Sequence, residues 1–159
     1  MRRSRDLIVF ASLCWVPPAL AQTATATQIL AQEYCAAVIA NDEVAAEALM
    51  NPMLRQAIAL ARVADAAYEK AHPGDKPPLG DGLPLTGFPD SVQSCAAEVI
   101  SPSEVVVTYA PDLDPATFWR DRLIVDTTGA SGPLIADIRF APDEIWTLVQ
   151  TLQEITATK

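Results

Sequence analysis

"TFWRDRLIVDTTGASGPLIADIRF", residues 117–140, decides the fold class. Two runs with a side-chain period of two flank the polar, glycine-containing TTGASG at 127–132, the pattern of a β-hairpin. In the first run Trp119, Leu123 and Val125 share one face, and Arg120 and Arg122 share the other. In the second, Leu134, Ala136, Ile138 and Phe140 lie on one face, with Asp137 and Arg139 opposite. One face is core and one is wet. Setting Asp126 opposite Pro133 across the loop aligns Arg122 with Asp137, Arg120 with Arg139, and Asp121 with Ile138. A surface charge pair of the first kind contributes only about 0.2–1 kcal/mol. The two like charges repel unless an acidic group or an anion lies between them, which makes Arg120 and Arg139 candidate contacts for an anion or a partner. The plainer reading is two arginines extending into water.

Asp121 interrupts the apolar face. A carboxylate directed inward without partners costs several kcal/mol, so it must be turned outward by a bulge or an edge position, satisfied by a helix donor, or set in a wet pocket. Its place near the strand's entry favours the outward turn. The pocket alternative makes Asp121 and Trp119 the candidate pocket residues.

Upstream, VQSCAAEVI (92–100) and EVVVTYA (104–110) read as two more strands joined through Ser101-Pro102-Ser103. Downstream, Pro142-Asp143-Glu144 opens a closing helix with an apolar stripe of Ile145, Leu148, Val149, Leu152 and Ile155. The amino-terminal half has helical periodicity instead. Residues 24–40 form a first helix, Asn41-Asp42 caps a short second one through Met50, and Asn51-Pro52 opens a third that ends near His72. Between the halves, HPGDKPPLGDGLPLTGFPD (72–90) is too rich in Pro and Gly for regular structure and reads as a covering loop. Its GDG has neither the Gly-Lys-Ser/Thr of a phosphate loop nor the aspartate spacing of a calcium loop. Helices segregated from an antiparallel meander of about four strands, with a closing helix, make an α+β fold.

The chain starts MRRSRDLIVFASLCWVPPALAQ. Basic residues, a short apolar run, a Pro-Pro break and Ala19-Leu20-Ala21 are the parts of a secretory signal peptide spanning 1–21. The expected mature chain, 22–159, is a single α+β domain, periplasmic or secreted, without a membrane span. Three of 11 Lys+Arg and one of 20 Asp+Glu leave with the signal, so 8 basic residues face 19 acidic ones and the net charge is −11. That balance argues against nucleic acid and anionic membranes as partners, and it is compatible with a basic protein. Removal of Cys14 leaves Cys35 and Cys95, an even pair in an exported protein, and a structural disulfide is expected. One histidine, His72 at a helix end, and two cysteines supply no metal-ligand pattern, and no cofactor motif is present.

The pieces "LMNPMLRQAI" (49–58), "PLGDGLPLTGFPDS" (78–91) and "LIADIRF" (134–140), in this order, resemble the small exported bacterial proteins grouped as domain of unknown function 3828, similar to cystatin-like and nuclear-transport-factor-like folds. Leu134 stands near where that family usually has Trp. The resemblance implies a curved sheet wrapped around helices and transfers no catalytic residue. The functional expectation is an exported, non-catalytic binding module for an unknown partner, of inhibitor or immunity type. The alternative is a small-ligand-binding protein or enzyme with a pocket between sheet and helices.

Overall fold

A computed structural model describes residues 18–80, 82–87, 91–111, 118–140 and 145–157. The signal-peptide reading of residues 1–17 and the helix start at 142–144 lie outside these residues. The elements are α1 (Pro18–Ala40), α2 (Glu43–Ala48), α3 (Pro52–Ala71), β1 (Val92–Ser101), β2 (Glu104–Pro111), β3 (Trp119–Asp126), β4 (Leu134–Arg139) and α4 (Leu148–Ala157). The four strands form one antiparallel sheet in the order β1-β2-β3-β4, and the fold is α+β. Among the described residues, no helix is long and apolar enough to cross a membrane.

Helix α1 starts before the expected position 24 and runs across Gln22, where the mature chain is expected to begin. Its buried side, Leu30, Ala31, Tyr34, Cys35 and Val38, recurs every three or four residues and packs on β1 and β2. Asn41 ends the helix in the left-handed region at φ 51°, which asparagine tolerates better than most side chains. There the Asp42 and Asn41 amides donate to the Ala37 and Val38 carbonyls, at 2.9 and 3.1 Å, satisfying two terminal acceptors. Asp42 then caps α2 by accepting from the Ala45 amide at 2.9 Å, and Asn51 caps α3 by accepting from Leu54 at 2.8 Å, with Pro52 following as expected. His72 is the C-cap of α3, its ring 4.5 Å from that of Tyr68.

The disulfide joins Cys35 of α1 to Cys95 of β1, with the two Cα atoms 5.4 Å apart. It fastens the first helix to the first strand across 60 residues of chain.

The β3–β4 register differs from the alignment drawn across the hairpin loop. Asp126 pairs with Leu134, so the loop is one residue longer than TTGASG, and a bulge at Ala136 separates Val125↔Ile135 from Ile124↔Asp137. Together these shift the strand by two residues. Arg122 therefore faces Arg139 instead of Asp137, Leu123 faces Ile138, and Arg120 is not opposite Arg139. The bulge also changes which residues point inward: Ile135 is fully buried where Leu134 and Ala136 were expected, while Ile138 and Phe140 keep their inward positions. The outer edge of β4 is covered from two directions. Asn51 and Ile135 exchange backbone bonds with Ile135 and Leu49, at 2.8 and 2.9 Å, and the Phe140 amide donates to Trp146 at 2.9 Å.

Helix α4 begins later than the acidic turn suggested, and Ile145 is not on its stripe. Thr147 and Gln150 exchange side-chain and backbone bonds at 3.2 Å, a capping box, and Leu148, Leu152 and Ile155 are its buried face. Asp137, released from Arg122 by the register, accepts from the Val149 amide at 3.0 Å and from Ile138 at 2.9 Å, placing a carboxylate at the positive end of the helix.

Candidate functional site

The described residues of the 72–87 segment are held at several points by side chains of other elements. The Asp65 carboxylate on α3 accepts from the Leu79 amide at 2.7 Å, and Glu43 on α2 accepts from Leu83 at 3.0 Å. Gly82, at φ +95°, lets the chain pass Glu43 so closely that a Cβ there would collide with the carboxylate oxygen. The Tyr34 hydroxyl donates to the Leu85 carbonyl, and the Gly87 amide reaches Asp121 at 2.7 Å and the Tyr109 oxygen at 2.9 Å. Leu83 and Leu85 are buried between these ties. A Pro/Gly chain has few backbone bonds of its own, so side chains from other elements supply its partners.

Asp121 is the centre of this arrangement. It stays on the inner face of β3 opposite Val107, 3% exposed, and the outward turn by a bulge or edge position does not occur. The bulge lies at Ala136 of β4, away from this residue. One carboxylate oxygen accepts from both the Tyr109 hydroxyl and the Gly87 amide. Its donors come from a neighbouring strand and the covering loop, a source absent from the expected arrangements. Trp119, also inward, is half-buried against the core.

Burial, followed by the negative charge of Asp121, pushes the Tyr34 and Tyr109 hydroxyls far above the ordinary tyrosine value. Above pH 10 an unfolded tyrosine loses its proton while these two keep theirs in the folded state, so the folded state binds more protons and stability falls as pH rises. The expected loss is about 1.4 kcal/mol per pH unit for each tyrosine. Urea unfolding between pH 9 and pH 11.5 measures it, and Tyr34→Phe is expected to halve the slope; an unchanged slope would exclude the coupling.

The space between sheet and helices is filled by Tyr34, Met50, Leu54, Ile58, Leu123, Ile135 and Ile138, all at most 2% exposed. One surface cavity opens on the outer side of α4 and another between α3 and α4, and neither is lined by Asp121 or Trp119. One, of about 500 Å³, lies beside Ile145, Trp146 and Glu154; the other, about 240 Å³, lies between α3 and α4 beside Met53, Leu60 and Leu152. Gln153 borders both. Of their lining residues Met53, Ile145, Trp146 and Leu60 are exposed by 79, 67, 55 and 55%, and Val63, one turn beyond Leu60 on α3, by 69%. Met53, Leu60 and Val63 recur on α3 at helical spacing, a second apolar stripe beside the buried one of Leu54, Ile58 and Ala61. The sequence signal was the excess of apolar positions on that helix, more than one buried face uses.

On the opposite side, Arg120, Arg122 and Arg139 lie on the outer face of the sheet. Arg122 is paired with Glu104 of β2. Among the described residues no three His, Cys, Asp or Glu side chains form a metal-ligating group. No protein-family model matches the chain, and the searches of curated proteins and of solved structures return no match.

Proposed function

We propose that the protein is an exported, non-catalytic binding module, of inhibitor or immunity type, that takes a partner protein on the outer surface of α3 and α4. The observation that carries this reading is the group of exposed apolar side chains, Met53, Leu60, Ile145 and Trp146, bordering two open cavities that share Gln153. Exposed apolar side chains gathered around surface cavities of a small domain mark interaction sites, and an exposed Trp is a common energetic anchor. The chain carries a net charge of −9, which favours a basic partner through charge complementarity. Export is supported by the disulfide, since such bonds persist in oxidising compartments.

The test is co-purification from the exported fraction with the wild type and with the double variant Leu60→Ala/Trp146→Ala. A basic protein is expected to bind the wild type, to be released by added salt, and to bind the variant at least about tenfold more weakly. The variant must unfold at the wild-type midpoint. Equal capture of that partner by both proteins, or capture of none, overturns the reading.

A further inference from the structure

The outer face of the sheet carries a cluster of three arginines in an acidic protein. Three of the chain's 11 basic residues, Arg120, Arg122 and Arg139, project from adjacent strands away from the core. Arg122 and Arg139 are direct cross-strand partners, and Arg120, two residues before Arg122 on the same face, is the diagonal neighbour of Arg139. Thr108 of β2, opposite Arg120, adds a hydroxyl to the same face. Like charges at directly opposed positions destabilise a sheet unless something negative lies between them.

Among the described residues the carboxylates of this face are separated from the pair or engaged elsewhere: Glu98 of β1 stands across Val106 of β2 from Arg122. Glu104 is paired with Arg122 from the β2 side. Asp137 turns to the amides of Ile138 and Val149, at 2.9 and 3.0 Å, and is committed to the start of α4. Asp126 accepts from the amide and hydroxyl of Thr128, at 2.9 and 2.6 Å, at the far end of β3. Among the described residues neither Arg120 nor Arg139 has a carboxylate partner. The residue that the hairpin pattern offered as the counter-charge is thus used elsewhere, and two guanidinium groups remain beside a third that is fixed by its ion pair.

We propose that Arg120, Arg122 and Arg139 form a site for a multivalent oxyanion, with Arg122 as its fixed edge and Arg120 and Arg139 closing on the ligand. Guanidinium groups suit this chemistry because each presents a planar fork of N–H donors that matches two oxygens of a phosphate or carboxylate group. The site is on the opposite side of the sheet from the helices and is independent of the partner surface on α3 and α4.

The probes are pyrophosphate and citrate, a phosphate and a carboxylate ligand, each compared with sodium chloride at matched ionic strength. For the wild-type protein the thermal unfolding midpoint is expected to rise with at least one of them and not with chloride. The preferred probe identifies the ligand class, and either preference supports the site. Arg139→Gln is expected to weaken that binding about tenfold or more, while its midpoint without anion stays equal to the wild type or rises, because a like-charge pair is removed. Arg55→Gln, which removes an exposed arginine of α3, is expected to bind as the wild type does. The proposal is overturned if neither probe exceeds chloride, or if Arg139→Gln keeps wild-type affinity.

Discussion

Removing the Cys35–Cys95 disulfide is expected to lower the unfolding free energy by about 4 kcal/mol, the loop-closure entropy of the 60-residue separation. Domains of this size are stable by only about 5–15 kcal/mol, so the bond accounts for a large share of the whole. The double variant Cys35→Ala/Cys95→Ala is the cleaner test, because Cys35 is 7% exposed and serine there would bury a hydroxyl in the core. Urea unfolding of the oxidised wild type, the reduced wild type and the variant measures the effect, and the last two are expected to agree. The loss is expected to be greatest in α1, which packs on the strand to which it is bonded. A difference below about 1 kcal/mol would mean that packing alone fixes the helix and that the entropic account fails here.

Asp121→Ala is expected to cost about 3 kcal/mol. The substitution leaves the Tyr109 hydroxyl and the Gly87 amide without their shared acceptor, and each buried unsatisfied donor costs about 1–3 kcal/mol. The Gly87 amide retains the Tyr109 oxygen at 2.9 Å, which keeps the total below the sum of two full penalties. Asp121→Asn keeps an acceptor oxygen and is expected to lose less. Hydrogen exchange distinguishes this from general loosening: protection at Gly87 and its described neighbours should fall by more than the global change. If the Ala variant unfolds within about 0.5 kcal/mol of the wild type, Asp121 does not hold the loop.

The helices and strands were legible because their signals are local. Asn51-Pro52 sets the start of α3, Asn41-Asp42 ends one helix and caps the next, and the alternation in 119–126 fixes which face of β3 is inward. The hairpin register was not, because it depends on two single-residue events, the unpaired Pro133 and the bulged Ala136, and a period-two pattern is insensitive to their sum. The late start of α4 had a local sign in Thr147-Leu148-Val149-Gln150, a capping-box sequence outweighed by the acidic turn before it. For Asp121, alternation correctly put the side chain inside. Its partners come from Tyr109 and from Gly87, 34 residues away in a segment without periodicity, so no pattern in the sequence linked them. The exposed apolar surface was hidden for a different reason: Met53, Leu60 and Val63 look like core residues until the packing shows that α3 already has a full buried face.

The two cysteines enclose α2, α3 and the covering segment within one covalent ring. Among the described residues of that ring the turn after α3 is open to solvent: residues 71–76 are all exposed and a Cβ added at Gly74, at φ +96°, would meet nothing within 4 Å. A protease that cuts once at this turn therefore opens the ring without dividing the molecule, since the sulfur bond still joins the pieces. The product is a two-chain protein of unchanged mass apart from one added water, which runs as a single species until it meets a reductant. The same turn is for that reason a natural place to insert foreign sequence, since a break or an insertion there leaves the sulfur link between α1 and β1 in place.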